Sequence, residues 1–300
     1  MDNQKHTASH SIADPQTIIP PASEQPVRTP IVLTVAGSDS GGGAGIQADI
    51  KAISATGSYA CSVITALTAQ NTQGVRAVLP IDQYFIEQQF DAIFSDIAVD
   101  VVKIGMLGDT ATIKTVANAL KHYAPQHIVL DPVMVATSGD VLLAADAINT
   151  LIEHLLPIAN VVTPNLPEAF ALLGSPVESL SNDAQYQALC QSLLALGCQS
   201  VLVKGGHQTG PLSTDYWCSP SAQQQFSCER INTQNTHGTG CTLSSAIASY
   251  LAQGQTLIEA IKSAKAYISG AILHADQLKI GSGNGPVHHF FAQQPNRLLL

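Results

Sequence analysis

The chain alternates between short apolar runs and longer amphipathic segments, and this alternation limits the folds open to it. The apolar runs are continuous and rich in β-branched residues, so strands formed from them would be buried on both faces. Between them, apolar residues recur at helical spacing over 82–95, 109–123, 143–156 and 181–197. This order predicts an α/β fold, in which helices flank both faces of a central, mostly parallel sheet. The predicted strands are 31–36, 62–67, 99–104, 127–133, 161–163 and 200–204.

The two ends of the chain depart from this order. Residues 1–30 are polar and proline-rich, so we expect a disordered tail, followed by one domain over 31–300. Residues 216–218 and 225–231 predict a hairpin that adds a small antiparallel edge to the sheet. Two helices then follow, one from Cys241 and one from Thr256, where Glu259 completes a capping box.

A glycine-rich loop precedes the helix predicted from Cys241. Gly238 and Gly240 leave room for an anion beside the unpaired N–H groups and the positive dipole of the helix N-terminus. In that first turn the pKa of the Cys241 thiol should be lowered, and the Thr242 hydroxyl could donate to a ligand. The alternative is structural, with glycines that loosen a turn, a capping Thr239 and a small buried Cys241.

Composition and motifs exclude several classes of protein. The net charge of −9 and the lack of a clustered basic face argue against nucleic acid or an anionic membrane as partner. The six cysteines lack metal-ligand spacing, and no membrane-span or signal-peptide pattern occurs, so we expect free thiols and a cytoplasmic protein. No Walker motif occurs, and 43–48 match the dinucleotide fingerprint only loosely.

Ligands of open parallel sheets bind at the carboxyl ends of the strands. The residues there that could contact a ligand are Ser38, Asp39, Gln70, Asn71, Lys103, Met106, Asp131, Asn165, Glu168 and Lys204.

Seven ordered sequence blocks resemble the hydroxymethylpyrimidine/phosphomethylpyrimidine kinases of thiamine biosynthesis, a branch of the ribokinase-like superfamily. The resemblance runs from about Val32 to Val287. It implies ATP-dependent phosphorylation of 4-amino-5-hydroxymethyl-2-methylpyrimidine, and then of its monophosphate to the diphosphate. The blocks are AGSD at 36–39, SVITALTAQNT at 62–72, KIGML at 103–107, VLDPVM at 129–134, TPNLPEA at 163–169, VKGGH at 203–207 and NTHGTGCT at 235–242.

The same resemblance implies how the pyrimidine is held. Gln70 stands at the pyrimidine-binding position, where its amide would face a ring nitrogen and an exocyclic amine. The backbone around Gly37 and the side chain of Asp49 would add polar contacts, although Asp49 could instead be a charge at a helix N-terminus. Met106 and Val133 would pack against the faces of the ring.

At the phosphoryl end, Cys241 stands where related sugar kinases carry an aspartate base, and its thiolate would take the proton of the hydroxymethyl group. The amides of Gly238 and Gly240 would stabilise charge on the transferred phosphoryl group. Lys204 would reach the phosphates of ATP, with further nucleotide contacts from Asn165 and Thr239. Asp131 and Glu168 are candidates for holding Mg²⁺ through water.

Other interpretations stay open. Pyridoxal kinases of the superfamily phosphorylate a hydroxymethyl group on a similar ring, and a catalytically inactive vitamin-binding sensor is a further alternative. We expect His237 to pack or to donate to the loop backbone, and His288 and His289 to lie at the surface. The resemblance also implies a homodimer.

Overall fold

The computed structural model describes residues 28–293 except 137, 138, 141, 145, 208 and 209. The predicted tail over 1–30 therefore lies almost entirely outside the described residues. Among those residues, no helix is long and apolar enough to cross a membrane.

The strands of the described chain form one nine-stranded sheet in the order β3-β2-β1-β4-β5-β6-β7-β8-β9. The strands from β2 through β1 and β4 to β7 are parallel, while β3, β8 and β9 are antiparallel to their neighbours. The predicted α/β fold is confirmed. Strand bounds are β1 Ile31–Asp39, β2 Tyr59–Asn71, β3 Gly74–Pro80, β4 Val101–Ile104, β5 His127–Leu130, β6 Val161–Val162, β7 Val201–Val203, β8 Leu212–Cys218 and β9 Gln223–Glu229.

Helices cover both faces of the sheet because alternate strand residues face opposite sides. Leu33 packs with the cluster under α2 to α6, whereas its neighbour Val32 packs with the cluster under α1, α7 and α8. The capping box of Thr256 and Glu259 is confirmed. Helix bounds are α1 Gly45–Ala55, α2 Gln83–Phe94, α3 Thr110–Tyr123, α4 Ala147–His154, α5 Leu166–Leu172, α6 Asp183–Leu194, α7 Thr239–Ala252 and α8 Leu257–Leu273.

Three features differ from the sequence prediction. The sheet has an antiparallel strand at both edges, because β2 continues to Asn71 and turns back into β3, whose residues are mostly exposed and give no apolar signal. The short helix α5 was not predicted. Helix α7 begins at Thr239 rather than Cys241, with Gly238 as its N-cap at φ +81°.

Two phenylalanines of α2 allow a matched test of this core. Phe90 is 1% exposed against the sheet, whereas Phe85 on the same helix is 57% exposed. We expect Phe90→Ala to lower the free energy of unfolding by about 3–5 kcal/mol, because it loses apolar burial and leaves a cavity. Phe85→Ala should change it by no more than about 0.5 kcal/mol. Urea denaturation measures both, and equal effects would contradict the placement of α2.

Candidate active site

A cavity of about 630 Å³ lies at the carboxyl ends of the parallel strands. Strands β1, β4, β5 and β7 end at its wall, and the N-terminus of α7 closes it from the side. Except for Asp49, Asn71, Lys103 and Thr242, the structure brings every residue predicted to contact a ligand to this cavity. Its lining includes Gly37, Gln70, Met106, Asp131, Val133, Asn165, Glu168, Lys204, Gly238, Thr239, Gly240 and Cys241.

Two glycine loops meet at the start of α7. Gly238 has φ +81°, and a Cβ on it would overlap the carbonyl oxygen of Gly43 in the loop after β1. Only glycine allows this backbone conformation together with this close approach. Gly240 lies beside Lys204, since a Cβ there would be 3.2 Å from the lysine Nζ. The first N–H groups of α7 therefore stand next to a cationic side chain, and this arrangement can bind an anion.

Lys204 is held between two buried carboxylates. Its Nζ lies 2.7 Å from Asp131 Oδ1 and 3.7 Å from Glu168 Oε2. Burial disfavours the ammonium, but these carboxylates outweigh it and raise the pKa of Lys204. Burial also favours the acid form of Asp131, yet the charges of Lys204 and Lys103 hold its pKa below the usual value. For Glu168 burial prevails and raises the pKa to about 7.

The carboxylates proposed to hold Mg²⁺ already have protein partners. Asp131 also accepts hydrogen bonds from Thr163 at 3.2 Å and from Ser244 at 3.2 Å. Glu168 Oε2 accepts from the backbone N–H of Asn165 at 2.8 Å, within a capping box that starts α5. Among the described residues, no group of three or more histidine, cysteine or acidic side chains could hold a metal ion. These residues fit a cation only through water.

Cys241 is half-buried in the first turn of α7, but its thiol is not the low-pKa group predicted from the sequence. Burial raises its pKa to about 11, and the charges of Asp49 and Asp131 act in the same direction. The ammonium of Lys103 and the backbone N–H of Gly45 favour the thiolate without overcoming burial. The prediction of a lowered pKa was therefore wrong, because desolvation outweighs the helix N-terminus.

Gln70 lies opposite Cys241 in the cavity wall, beside a buried histidine. His237 Nε2 is 3.4 Å from Gln70 Nε2 and 3.0 Å from Asp39 Oδ2. Asp39 in turn accepts hydrogen bonds from the backbone N–H groups of Gly41, Gly43 and Ala44. His237 thus contacts the Asp39 carboxylate and packs against Gly43, as the packing prediction had it, and it connects the two loops.

Gly37 and Met106 are packed against each other at the cavity wall. The N–H of Gly37 donates to the carbonyl oxygen of Met106 at 3.2 Å, so this donor is already paired within the protein. A Cβ on Gly37 would lie 2.5 Å from Met106 Cε. Gly37 therefore fixes the position of the Met106 side chain.

Asp49 does not reach the cavity, and its predicted contact with substrate is wrong in this structure. Its side chain is fully buried beneath the site and forms a double contact with Lys103 Nζ, at 2.8 Å to each oxygen. The sequence does not reveal the buried partner of Asp49 on β4.

His289 was predicted at the surface and is instead buried, at 5% exposure. Its Nε2 lies 3.0 Å from the hydroxyl oxygen of Thr242, which is also fully buried. Thr242 therefore faces this histidine, and its predicted contact with a bound ligand is wrong as well. All six cysteines are free, as predicted.

Comparison with known proteins identifies the family. The phosphomethylpyrimidine kinase family matches residues 39–288. A hydroxymethylpyrimidine/phosphomethylpyrimidine kinase of Salmonella typhimurium is 49% identical over 260 residues, which cover 87% of this chain and 97% of the relative. One from Rhizobium meliloti is 52% identical over 262 residues, with the same coverage. The chain belongs to the phosphomethylpyrimidine kinase family.

Solved structures of similar fold include two kinds of vitamin kinase. A phosphomethylpyrimidine kinase from Clostridium difficile is 43% identical, with a TM-score of 0.71 over 81% of this chain and 99% of that one. A pyridoxal kinase from Bacillus subtilis in an ADP complex is 34% identical, with a TM-score of 0.80 over 87% and 98%. The ribokinase-like α/β fold expected from the sequence is thus confirmed, and it is common to kinases of both vitamins.

Sequence reasoning assigned no role to several residues that this member of the family places around the cavity. Arg230, at the end of the hairpin, donates to the carbonyl oxygens of Gly206 at 2.9 Å, Gly210 at 3.0 Å and Leu212 at 3.1 Å. It thereby fixes the backbone at these three residues. Lys265 pairs with Asp215 at 2.8 Å, and both line the cavity. No local motif marks these residues, because each acts on a segment distant in sequence.

The buried His289 predicts a specific dependence of stability on pH. Burial lowers its pKa from 6.5 to about 4. Between these two pH values the unfolded chain therefore binds a proton at His289, and the folded protein does not. Stability contributed by the neutral form is complete above about pH 6.5 and is lost as the pH falls towards 4, by up to about 3 kcal/mol. We expect His289→Gln to remove this part of the acid sensitivity, as measured by urea denaturation across that range. His288→Gln, at the half-buried neighbour, should retain the acid sensitivity. If the free energy of unfolding depends on pH equally in both variants, the acid sensitivity does not come from His289.

Proposed function

We propose that this protein phosphorylates 4-amino-5-hydroxymethyl-2-methylpyrimidine with ATP, and then phosphorylates the monophosphate to the diphosphate, in thiamine biosynthesis. The observation that carries the proposal is the shared cavity. Gln70 and the N-terminus of α7 with Cys241 both line it. One compact ring with a hydroxymethyl arm would contact both. Membership of the phosphomethylpyrimidine kinase family supports the same proposed activity.

The ring would bind at the end of the cavity that contains Gln70. Its amide offers a donor and an acceptor side by side, which matches a ring nitrogen adjacent to an exocyclic amine. Met106, held by Gly37, and the half-buried Val133 supply apolar contacts to the faces of the ring. Asp49 is not part of this subsite.

The phosphoryl group would be transferred at the N-terminus of α7. Gly238 and Gly240 line the cavity at this N-terminus, and their amides could stabilise charge that develops on the transferred group. Lys204 adds a point charge beside Gly240. Thr239 and Asn165 line the same cavity and could contact the nucleotide.

Cys241 would hold the attacking hydroxyl group. Its thiol is neutral near pH 7 because its pKa is about 11, so it first serves as a hydrogen-bonding partner that orients the hydroxymethyl oxygen. Phosphoryl transfer depends mainly on positioning and on neutralisation of charge. Removal of the proton adds a smaller factor, typically about 10²–10⁴ in rate.

We also propose that ATP binds as its Mg²⁺ complex. The ammonium of Lys204 is already paired with Asp131, so part of its charge is neutralised before a triphosphate binds. Mg²⁺ supplies positive charge when bound and retains much of its hydration shell, so contacts from Glu168 and Asp131 through water would be sufficient. A homodimer, a cytoplasmic location, and a single domain over 31–300 behind a disordered tail remain predictions.

Pyridoxal kinase activity is the second candidate, and one observation favours it. A Staphylococcus aureus pyridoxal kinase, solved with AMP-PCP and pyridoxal, is 32% identical with a TM-score of 0.80 over 91% of this chain and 96% of that one. Pyridoxal carries a hydroxymethyl group on a six-membered ring of similar size. The present cavity could therefore accept it at the same phosphoryl end.

The proposed function is tested with the purified full-length chain, Mg-ATP and each vitamin precursor separately, with phosphorylated products identified by mass. We expect the pyrimidine to give mono- and diphosphate at a higher kcat/KM than pyridoxal. Cys241→Ala should lower kcat for the pyrimidine by about 10²-fold or more, since it loses the group that orients the hydroxymethyl oxygen. Gln70→Leu should raise KM for the pyrimidine and leave KM for ATP unchanged.

Product from pyridoxal alone would assign the protein to vitamin B6 metabolism. Lack of product from either precursor, with binding of the pyrimidine retained, would favour the inactive vitamin-binding sensor.

Two glycines with positive φ allow a matched test of the α7 N-terminus. Gly238 lies at φ +81° against Gly43, whereas Gly254 lies at φ +86° with no neighbouring atom within 4 Å. Gly254→Ala should cost about 1–2 kcal/mol of stability and leave turnover unchanged. Gly238→Ala must also displace the loop after β1, so we expect kcat to fall by at least about 100-fold. Equal turnover of the two variants would contradict the proposed role of this N-terminus.

A further inference from the structure

A buried ion pair lies directly under the site and is not used by the proposed reaction. Lys103 on β4 and Asp49 on α1 have fully buried side chains, with Lys103 Nζ 2.8 Å from each oxygen of Asp49. Removing two charges from water is costly, and apolar side chains of the same volume often serve stability as well or better. Stability alone is therefore a poor explanation for this pair.

The pair holds the turn of α7 that carries Cys241. Asp49 accepts a hydrogen bond from Ser245 at 2.7 Å and another from Thr34 on β1 at 2.5 Å. Ser245 is four residues after Cys241, which is one helical turn further along the same helix. The Asp49 carboxylate thus joins α1, β1, β4 and α7 at one point beneath the thiol.

A second ion pair holds the same turn from the other side. Ser244 Oγ lies 3.2 Å from Asp131 Oδ2 and 2.9 Å from the carbonyl oxygen of Gly240, which share its one proton, and Asp131 pairs with Lys204 at 2.7 Å. Ser244 and Ser245 are both fully buried. The start of α7 therefore contacts two carboxylates, Asp49 and Asp131, and each of them forms an ion pair with a lysine.

The two ammonium groups differ in what they can contact. Lys204 lines the cavity and can reach a ligand, whereas Lys103 is sealed beneath it. The charged groups that act on the Cys241 thiol are Lys103, Lys204, Asp49 and Asp131. Of these, Lys103 gives the strongest support to the thiolate against the effect of burial.

We propose that Lys103 and Asp49 are positioning residues for Cys241. Asp49 fixes the first turn of α7 through Ser245, and Lys103 keeps a permanent positive charge beneath the thiol. This inference deepens the proposed phosphoryl transfer, and its kinetic part rests on that function. The predicted effect on the reactivity of the Cys241 thiol does not depend on that function and can be measured without turnover.

The positioning of the first turn of α7 by Asp49 is tested with variants of two serines of that helix. Ser249 lies one turn beyond Ser245, is also fully buried, and contacts Thr56 Oγ1 at 2.7 Å and Ser58 Oγ at 2.8 Å. Ser245→Ala and Ser249→Ala each remove one buried hydroxyl group between α7 and the region of α1, so they should lower the melting temperature by similar amounts. Only Ser245→Ala should lower kcat, by about tenfold, with KM for ATP unchanged.

The electrostatic part is tested by the charge-neutral double variant Lys103→Met/Asp49→Asn. The full-length protein is labelled with iodoacetamide at fixed pH, and modified peptides are quantified by mass spectrometry. Cleavage at Arg230 separates Cys228 from Cys241, so the half-buried Cys228 serves as an internal reference. We expect labelling of Cys241 relative to Cys228 to slow, by less than about tenfold, because Lys103 acts on the thiol more strongly than Asp49, whose removal works in the opposite direction.

Equal kcat for Ser245→Ala and Ser249→Ala, or an unchanged labelling ratio in the double variant, would overturn the proposal. If the double variant does not fold, the serine variants are labelled instead, and a ratio altered only in Ser245→Ala supports the positioning role. If the wild-type protein phosphorylates neither vitamin precursor, the proposed function fails. The labelling ratio then still decides whether the pair acts on Cys241.

Discussion

The close contact between two glycine loops is the constraint on which the site depends. Gly238 can approach the Gly43 carbonyl only because it has no side chain and adopts φ +81°. His237 and Asp39 lock the same contact from the side, through a 3.0 Å hydrogen bond. The N-terminus of α7 is thereby fixed over the end of β1, where its amides face the cavity. A loose loop with the same residues would present those donors without a fixed direction.

Two ion pairs lie at different depths in the site. The upper pair, Lys204 with Asp131, borders the cavity and can exchange partners when an anion binds. The lower pair, Lys103 with Asp49, is sealed from solvent and keeps its partners. This separation lets one lysine contact a ligand while the other maintains a constant field beneath Cys241. Two lysines near the ends of β4 and β7 thus have different uses because their burial differs.

Residues at strand ends were predictable because the parallel sheet fixes where those ends meet. Gln70, Lys204 and Glu168 reach one cavity for that reason. The antiparallel β3 was not predictable, since its exposed residues carry no apolar period. The raised pKa of the Cys241 thiol was not predictable either. A helix N-terminus is visible in a sequence, but the depth of burial and the charges packed around a thiol emerge only in the folded protein.

The fold does not by itself decide between the pyrimidine and pyridoxal. Kinases of both vitamins have this architecture, and the phosphoryl end needs only a hydroxymethyl group and a triphosphate. Discrimination must then come from the few polar groups that contact the ring. Gln70 is the half-buried polar side chain that we assign to the ring, and an amide that a bound ring buries without a partner costs about 1–3 kcal/mol. A ring that leaves that amide unpaired is disfavoured by about tenfold to a hundredfold, whatever its fit at the α7 N-terminus.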